Sequence, residues 1–361
     1  MLRALLTWKR REPQAEVLMV TSSWPRPDNP AYGIFVKRQL DSLAAAGLPF
    51  DVLVVNGFRS PLAYPLAALT LARLSLTREA RYRLVHAHGG EAGVSAWFYR
   101  RAPLFVSYLG DDLLGTRRED GRLTRSSIVR SALLRQHARL ARGSNTKSTE
   151  MANTLPRSVR STNMVSPDGV DPHEFSPVPR DRARRQLGWP PNERVVLFAS
   201  DPGVPVKRYW LAQHASEQAR RQAPHLRLQV AAGIAAAEMP LLMSAADCLI
   251  LTSAAEGSPN VVKEALMCNL PVVATRVGDV EELLEGVEPS VVCDADPSVL
   301  AAALLHCLEP PRRSNGRARS VSFGADVVAA RTLRAYARID PYFERFADAE
   351  ETALAVPAPA R

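Results

Sequence analysis

The stretch Cys248-Leu-Ile-Leu-Thr252, Ser253-Ala-Ala-Glu256-Gly257-Ser258-Pro259, Asn260-Val-Val-Lys263-Glu264-Ala265 runs from an apolar segment through a small-residue turn into an amphipathic one. An unbroken apolar run suits a strand buried on both faces. Ser258 is a good helix cap and Pro259 suits the first helical position, so a helix is predicted to begin there. Gly257 lets the backbone turn tightly and leaves the amides open to a ligand. Strand, turn and helix form the repeating unit of a parallel α/β sheet. Ligands bind beyond the carboxyl ends of such strands, where helix N-termini present free N–H groups. An anion at those amides, with Glu256 in the turn and Glu264 in the second helical turn bonding hydroxyls, is the chemistry a nucleotide diphosphate sugar requires. On the residues alone, the two glutamates serve equally well as partners of the helix dipole.

The same alternation extends outward in both directions. Val17–Thr21, Phe50–Val55, Leu84–His88, Leu104–Leu109 and the weaker Asn163–Ser166 are predicted strands of the first half, and Val195–Ala199, Leu226–Ala231, Cys248–Thr252, Pro271–Thr275 and Ser290–Cys293 those of the second. Amphipathic stretches at Phe35–Ala46, Ser126–Ala141, Tyr209–Gln222, Val261–Cys268 and Pro297–Leu308 separate them. The pattern predicts two doubly wound α/β domains facing each other across a cleft. A proline-marked passage, Pro167 to Pro191, reads as the connection. Val327–Phe346 has helical periodicity but belongs to no βα unit, and Ala353–Arg361 reads as a frayed tail.

At 361 residues the chain exceeds what one core usually serves, which agrees with two domains. A 46% hydrophobic and 23% charged composition excludes wholesale disorder, and no apolar run spans a bilayer. The short apolar start precedes Lys9-Arg10-Arg11, the wrong order for a secretory signal. Cys248, Cys268, Cys293 and Cys307 lie singly in apolar stretches, as reduced thiols of a cytoplasmic protein would. The net charge of +9 is carried by scattered arginines without aromatic interleaving, which argues against a nucleic-acid reader and for anionic substrates or an anionic membrane surface. The basic segment Leu2–Arg11 is the expected place of such membrane contact.

Two further loops stand at predicted strand ends. After Val195–Ala199 comes Ser200-Asp-Pro-Gly-Val-Pro-Val-Lys207-Arg208, whose cations at a helix start would clamp a diphosphate. The long first loop, Ser22 to Lys37, includes Trp24, Tyr32 and Gly33 and reads either as an acceptor-facing loop or as a proline-stiffened surface loop. His86 and His88 share one face of a strand, yet no third ligand completes a metal site. Base recognition would fall near Gly233, within Val230–Ile234, and near Ala255.

Glu256-x7-Glu264 in the setting EGSPNVVKEAL resembles the signature of the retaining GT-B glycosyltransferases of family 4. Ser166-Pro-Asp-Gly-Val-Asp171 with Phe175 and Pro177, His86-Ala-His88 and Leu109-Gly-Asp-Asp112 resemble further motifs of that family, over about residues 17–345. The resemblance implies that Glu256 contacts the donor sugar and Glu264 the ribose, with Gly257, Ser258, Pro259, Asn260 and Val261 lining the sugar and diphosphate. It implies roles for Lys207 on the leaving diphosphate, for Asp112 as the motif's aspartate and for Gly33 toward phosphate or acceptor, while the residues themselves offer Arg208 beside Lys207 as a substitute diphosphate cation, Tyr32 as a sugar-stacking ring and His88 as a structural or cleft polar group. Two departures stand out. The family's histidine is replaced by Leu109, and its arginine is missing from Asp201-Pro202-Gly203.

The organisation implied is an acceptor domain at 1–168, a linker at 169–192, a nucleotide-sugar domain at 193–323 and a helix at 324–350 returning to the first domain. The activity implied is metal-independent, cofactor-free hexosyl transfer with retention, to a sugar or lipid-linked acceptor of bacterial surface polysaccharide or glycolipid. That setting is cytoplasmic, at the inner face of the plasma membrane. A non-hydrolysing sugar-nucleotide epimerase and a non-catalytic donor-binding scaffold remain as alternatives.

Overall fold

The computed structural model describes residues 5–12, 14–77, 81–118 and 120–347. The first sheet holds β1 (Leu6–Arg10), β2 (Val17–Thr21), β3 (Phe50–Val55), β4 (Leu84–His88), β5 (Leu104–Ser107), β6 (Gly143–Thr146) and β7 (Asn163–Val165). Their order is β1-β3-β2-β4-β5-β6-β7, parallel from β3 to β7. The second sheet is wholly parallel: β8 (Arg194–Phe198), β9 (Leu226–Val230), β10 (Cys248–Leu251), β11 (Val272–Thr275) and β12 (Val291–Cys293), in the order β12-β11-β10-β8-β9. Every residue of β2, β3, β4 and β10 is buried, because helices cover both faces of each sheet. This is the doubly wound pair of domains that the strand pattern predicts.

Two strands escaped the pattern. β1 runs antiparallel to β3, so the basic segment is an edge strand and not a free arm. Arg10 pairs with Glu12 and lies 4.3 Å over the Phe50 ring, while Arg11 lies 4.3 Å over Trp8. Residues 2–4 of the expected membrane segment lie outside the described residues. β6, Gly-Ser-Asn-Thr, has no apolar signal. It is buried because Ser144 bonds Asn163 at 2.8 Å and Asn145 bonds the Ser166 carbonyl at 3.2 Å. Small polar residues satisfy each other there in place of hydrophobic packing.

The passage between the sheets is only partly extended. It contains the helix Arg180–Leu187, which packs on Met239–Ala245 and sends the buried Arg184 to Asp247 at 2.6 Å and to the Ala245 carbonyl at 2.9 Å. Farther on, the Ala325–Ala337 helix crosses back and buries Ala329, Leu333 and Tyr336 against Val17 and Phe105 of the first sheet. Residues 348–350 of the expected returning helix, and the tail beyond, lie outside the described residues. Among the described residues no helix is long and apolar enough to cross a membrane. The four cysteines are free and buried.

Candidate active site

The carboxyl ends of the two sheets meet at a cleft of about 220 Å³. Leu109, Gly110, Asp111 and Thr116 wall it from one domain, and Lys207, Ala255, Glu256 and Gly257 from the other. A neighbouring cavity of about 260 Å³ shares Glu256 and adds Glu150, Arg276 and Gly278. The Glu256 carboxylate accepts from Lys207 Nζ at 2.6 Å and from Ser253 Oγ at 2.6 Å. The two loops are stitched together behind this pair. Ala254 N–H donates to the Val206 carbonyl at 2.7 Å, and Thr252 Oγ1 donates to the Lys207 carbonyl at 2.8 Å. Gly278 makes the close approach possible, since a β-carbon there would stand 2.8 Å from the Gly257 carbonyl oxygen at a φ of +53°.

Several expected site residues face elsewhere. Arg208 does not reach the cleft: its guanidinium donates to the carbonyls of Thr252 and Ser253, both at 2.7 Å, and its own backbone is left-handed at φ +48°. It braces the turn from behind, bonded to the backbone of the Glu256 loop. Asp112 is buried and accepts amides of Leu109, Gly110, Leu113 and Gly90, each at 3.0 Å. Burial raises its pKa and outweighs the amide bonds that would lower it. It is a cap for two chain turns, not a base aimed at substrate, and of the two aspartates it is Asp111 that lines the cleft.

The helix after β10 is Asn260–Met267, with Pro259 at the cap position and no side-chain cap bond, so Ser258 lies one residue outside the predicted role. Asn260 turns toward Asp168 at 3.5 Å, and Val261 packs on the second domain's core. The fully buried Lys263 donates to the Asp168 carbonyl at 2.9 Å. Burial lowers its pKa to about 8. Lys147 reaches the Asp168 carboxylate at 2.6 Å. Although burial works to raise the Asp168 carboxyl, Lys147 and Lys263 together hold it below its usual value. Three charges from the first domain, the passage and the second domain thus meet at the hinge.

Glu264 looks across the domain boundary to the first domain. Its carboxylate accepts from Arg38 Nη1 at 2.8 Å, and Arg38 also holds Glu174 at 2.5 Å. Burial raises the Glu264 carboxyl, and Arg38 offsets part of that rise. His88 is buried near Lys147 and Asp168, its ring tilted against that of His86 at 4.0 Å, and neither ring nitrogen has a hydrogen-bond partner among the described residues. Burial lowers its pKa to about 3, and the side chain is fully enclosed. His86 bonds Tyr336 and Ser107.

Gly33 caps the Ile34–Ala45 helix at φ +67°, and a β-carbon there would stand 2.3 Å from the Ser23 carbonyl carbon. Tyr32 is partly exposed, under the Arg26 guanidinium at 4.7 Å. Trp24 packs into the core of the first domain. Gly233 lies exposed in the loop after β9 at φ +68°. Among the described residues no three of His, Cys, Asp and Glu stand close enough to share a metal ion. Arg38, Lys147, Asp168 and Gly278 were not singled out by sequence. The one signal available was lysine scarcity, Lys147 being one of five lysines.

Residues 206–310 match the family model described as glycosyl transferases group 1. A D-inositol 3-phosphate glycosyltransferase of Arthrobacter sp. (strain FB24) is 30% identical over 50% of this chain and 51% of that relative, so the match spans about half the relative's length. The structure resembles sucrose-phosphate synthase from Thermosynechococcus elongatus with a TM-score of 0.72, at 18% identity, over 91% of this chain and all of that one. It resembles Anabaena HepE in complex with UDP and glucose with a TM-score of 0.61, at 18% identity, over 92% of this chain and 100% of that one. Two Rossmann-like domains closing on such a cleft define the GT-B class. The match to the group 1 glycosyl transferase model is confined to residues 206–310, within the second domain.

Proposed function

We propose that the protein transfers a hexosyl unit from a nucleotide diphosphate sugar to an acceptor hydroxyl, with the anomeric configuration retained. The observation that carries this reading is the Lys207–Glu256 pair on the cleft wall, beside the turn that opens the Asn260–Met267 helix. In this account the bond from the anomeric carbon to the diphosphate oxygen breaks with its electron pair leaving on the diphosphate. The acceptor oxygen bonds to the same face of that carbon, and its proton passes to the departing phosphate oxygen. Lys207 and the amides of residues 258–262 stabilise the charge that develops on the diphosphate. Glu256 orients the sugar and holds Lys207 extended, and Glu264 exchanges Arg38 for the ribose hydroxyls. A nucleotide-sugar donor is supported by the UDP and glucose named for HepE.

The acceptor is a sugar or lipid-linked hydroxyl of surface polysaccharide or glycolipid assembly, met in the cytoplasm. No metal takes part in the step as written, so chelation leaves the rate unchanged. The test is transfer by purified protein from a panel of nucleotide diphosphate sugars. Lys207→Ala lowers turnover by about 100-fold, on the scale of losing one preorganised donor at a developing oxyanion. Isomerised donor in the absence of acceptor would instead identify an epimerase.

A second reading, donor binding without transfer, is favoured by Leu109 lining the cleft where the family places a histidine. Thermal stabilisation by donors without product from any acceptor would establish it.

A further inference from the structure

The three helices covering one face of the first sheet, Ala63–Leu76, Gly90–Ala96 and Arg125–His137, share an unusual outer surface. Leu62, Leu69 and Leu76 recur every seven positions, two helical turns apart, and are 68%, 51% and 85% exposed. They form a stripe about 21 Å long at 1.5 Å per residue. Beside it an apolar groove of about 540 Å³ runs between the first two helices, with Val94 and Phe98 on its far wall. Val129 and Leu133 continue the exposed apolar surface on the third helix.

Charge is sorted on this face. The three helices carry Arg73, Arg125, Arg130 and Arg135 against a single carboxylate, Glu91, and Arg59, Arg100, Arg101 and Arg139 flank them. Arg59, Arg73, Arg100, Arg101, Arg125 and Arg139 are exposed. Arg100 lies 4.2 Å over Trp97, and Arg101 donates to the Thr77 carbonyl at the end of the leucine stripe. Glu91, the carboxylate of the three helices, is paired with Arg130 at 3.3 Å. The groove also adjoins the long first loop, because Tyr64 on its wall bonds Ser22, and Tyr32 donates to the Ser22 carbonyl at 3.4 Å.

We infer that this helical face docks the protein on an anionic phospholipid bilayer. Aliphatic side chains enter the acyl boundary while the arginines around them meet lipid phosphates, which is how an interfacial amphipathic surface binds. Nucleic acid does not fit a surface whose centre is leucine, valine and phenylalanine. The Ala63–Leu76 helix packs beside the edge strand that carries Lys9, and the inference does not depend on the transferase reading, since docking needs no catalysis.

The experiment is flotation of the purified full chain with vesicles of phosphatidylcholine alone and of phosphatidylcholine mixed with phosphatidylglycerol. The chain co-floats with the mixed vesicles only, and less at high salt. Leu69→Asp with Leu76→Asp, and separately Arg73→Glu with Arg100→Glu, reduce the bound fraction about tenfold. Arg221→Glu, on the other domain, leaves it unchanged. Val129→Asp with Leu133→Asp gives a second apolar pair, and circular dichroism confirms that each variant is folded. Absence of binding to the mixed vesicles, or equal binding by the variants, overturns the inference. So does a concentration-dependent dimer that the same leucine changes dissolve, which would make this face a contact between copies.

Discussion

Arg38 of the first domain donates to Glu264 of the second at 2.8 Å, across 226 positions of sequence. Both side chains are largely buried, at 15% and 13% exposure, and Arg38 also holds Glu174 from the passage between the domains. One guanidinium therefore ties three parts of the chain to the carboxylate that the transferase reading gives to the donor's ribose. Arg38→Ala leaves Glu264 buried without its partner and lowers unfolding stability by about 1–3 kcal/mol near neutral pH. The loss shrinks in acid, where Glu264 is protonated in either protein, because Arg38 favours only the ionised carboxylate. Urea titrations at two pH values check this, and a double variant with Glu264→Gln recovers part of the loss if the pair is coupled.

Glu256 faces the cleft and is held by Lys207 and Ser253. Glu256→Gln preserves the shape but removes the charge that extends Lys207. Turnover falls by about 10²–10³-fold, whereas donor affinity measured by calorimetry changes much less. An equal loss in both would mean that Glu256 only binds.

Asp112 has four amides on its carboxylate and no route to the cleft. Asp112→Asn lowers stability by about 1–3 kcal/mol through weakened caps. Turnover per folded molecule stays within about tenfold of the parent, and its pH profile keeps its shape. A shifted acid or basic limb would restore Asp112 to the chemistry.

His88 is neutral in the fold because burial lowers its pKa to about 3, against about 6.5 for an exposed histidine. Between those values the unfolded chain binds the extra proton. Stability is therefore complete above pH 6.5 and falls as pH drops toward 3, with a limiting slope of about 1.4 kcal/mol per pH unit from this group. His88→Gln flattens that limb. Thermal melts from pH 4 to pH 8 provide the measurement, and an unchanged slope would assign acid sensitivity to other groups.

Much of this architecture is legible in the chain itself. Pro297–Leu308 occupies the predicted residues, and β2, β3 and β4 coincide with their apolar runs, because strands buried on both faces leave little else for those segments to be. β1 was illegible because Trp-Lys-Arg-Arg reads as a charged arm, and only pairing with β3 makes it a strand. β6 was illegible because a polar strand is held by partners distant in sequence.

The candidate site divides along the same line. The sequence alone determined that a strand, a glycine turn and a helix start would present Glu256 at the end of a parallel sheet, because that depends on local spacing. Only the tertiary structure decided which neighbouring side chains share the cleft. Successive helical residues point roughly 100° apart, so Lys263 falls to Asp168 and Glu264 to Arg38 while Glu256 stays in the cleft wall. A buried charge must find its partner wherever the fold brings one, and the partners of those two residues lie 95 and 226 positions away.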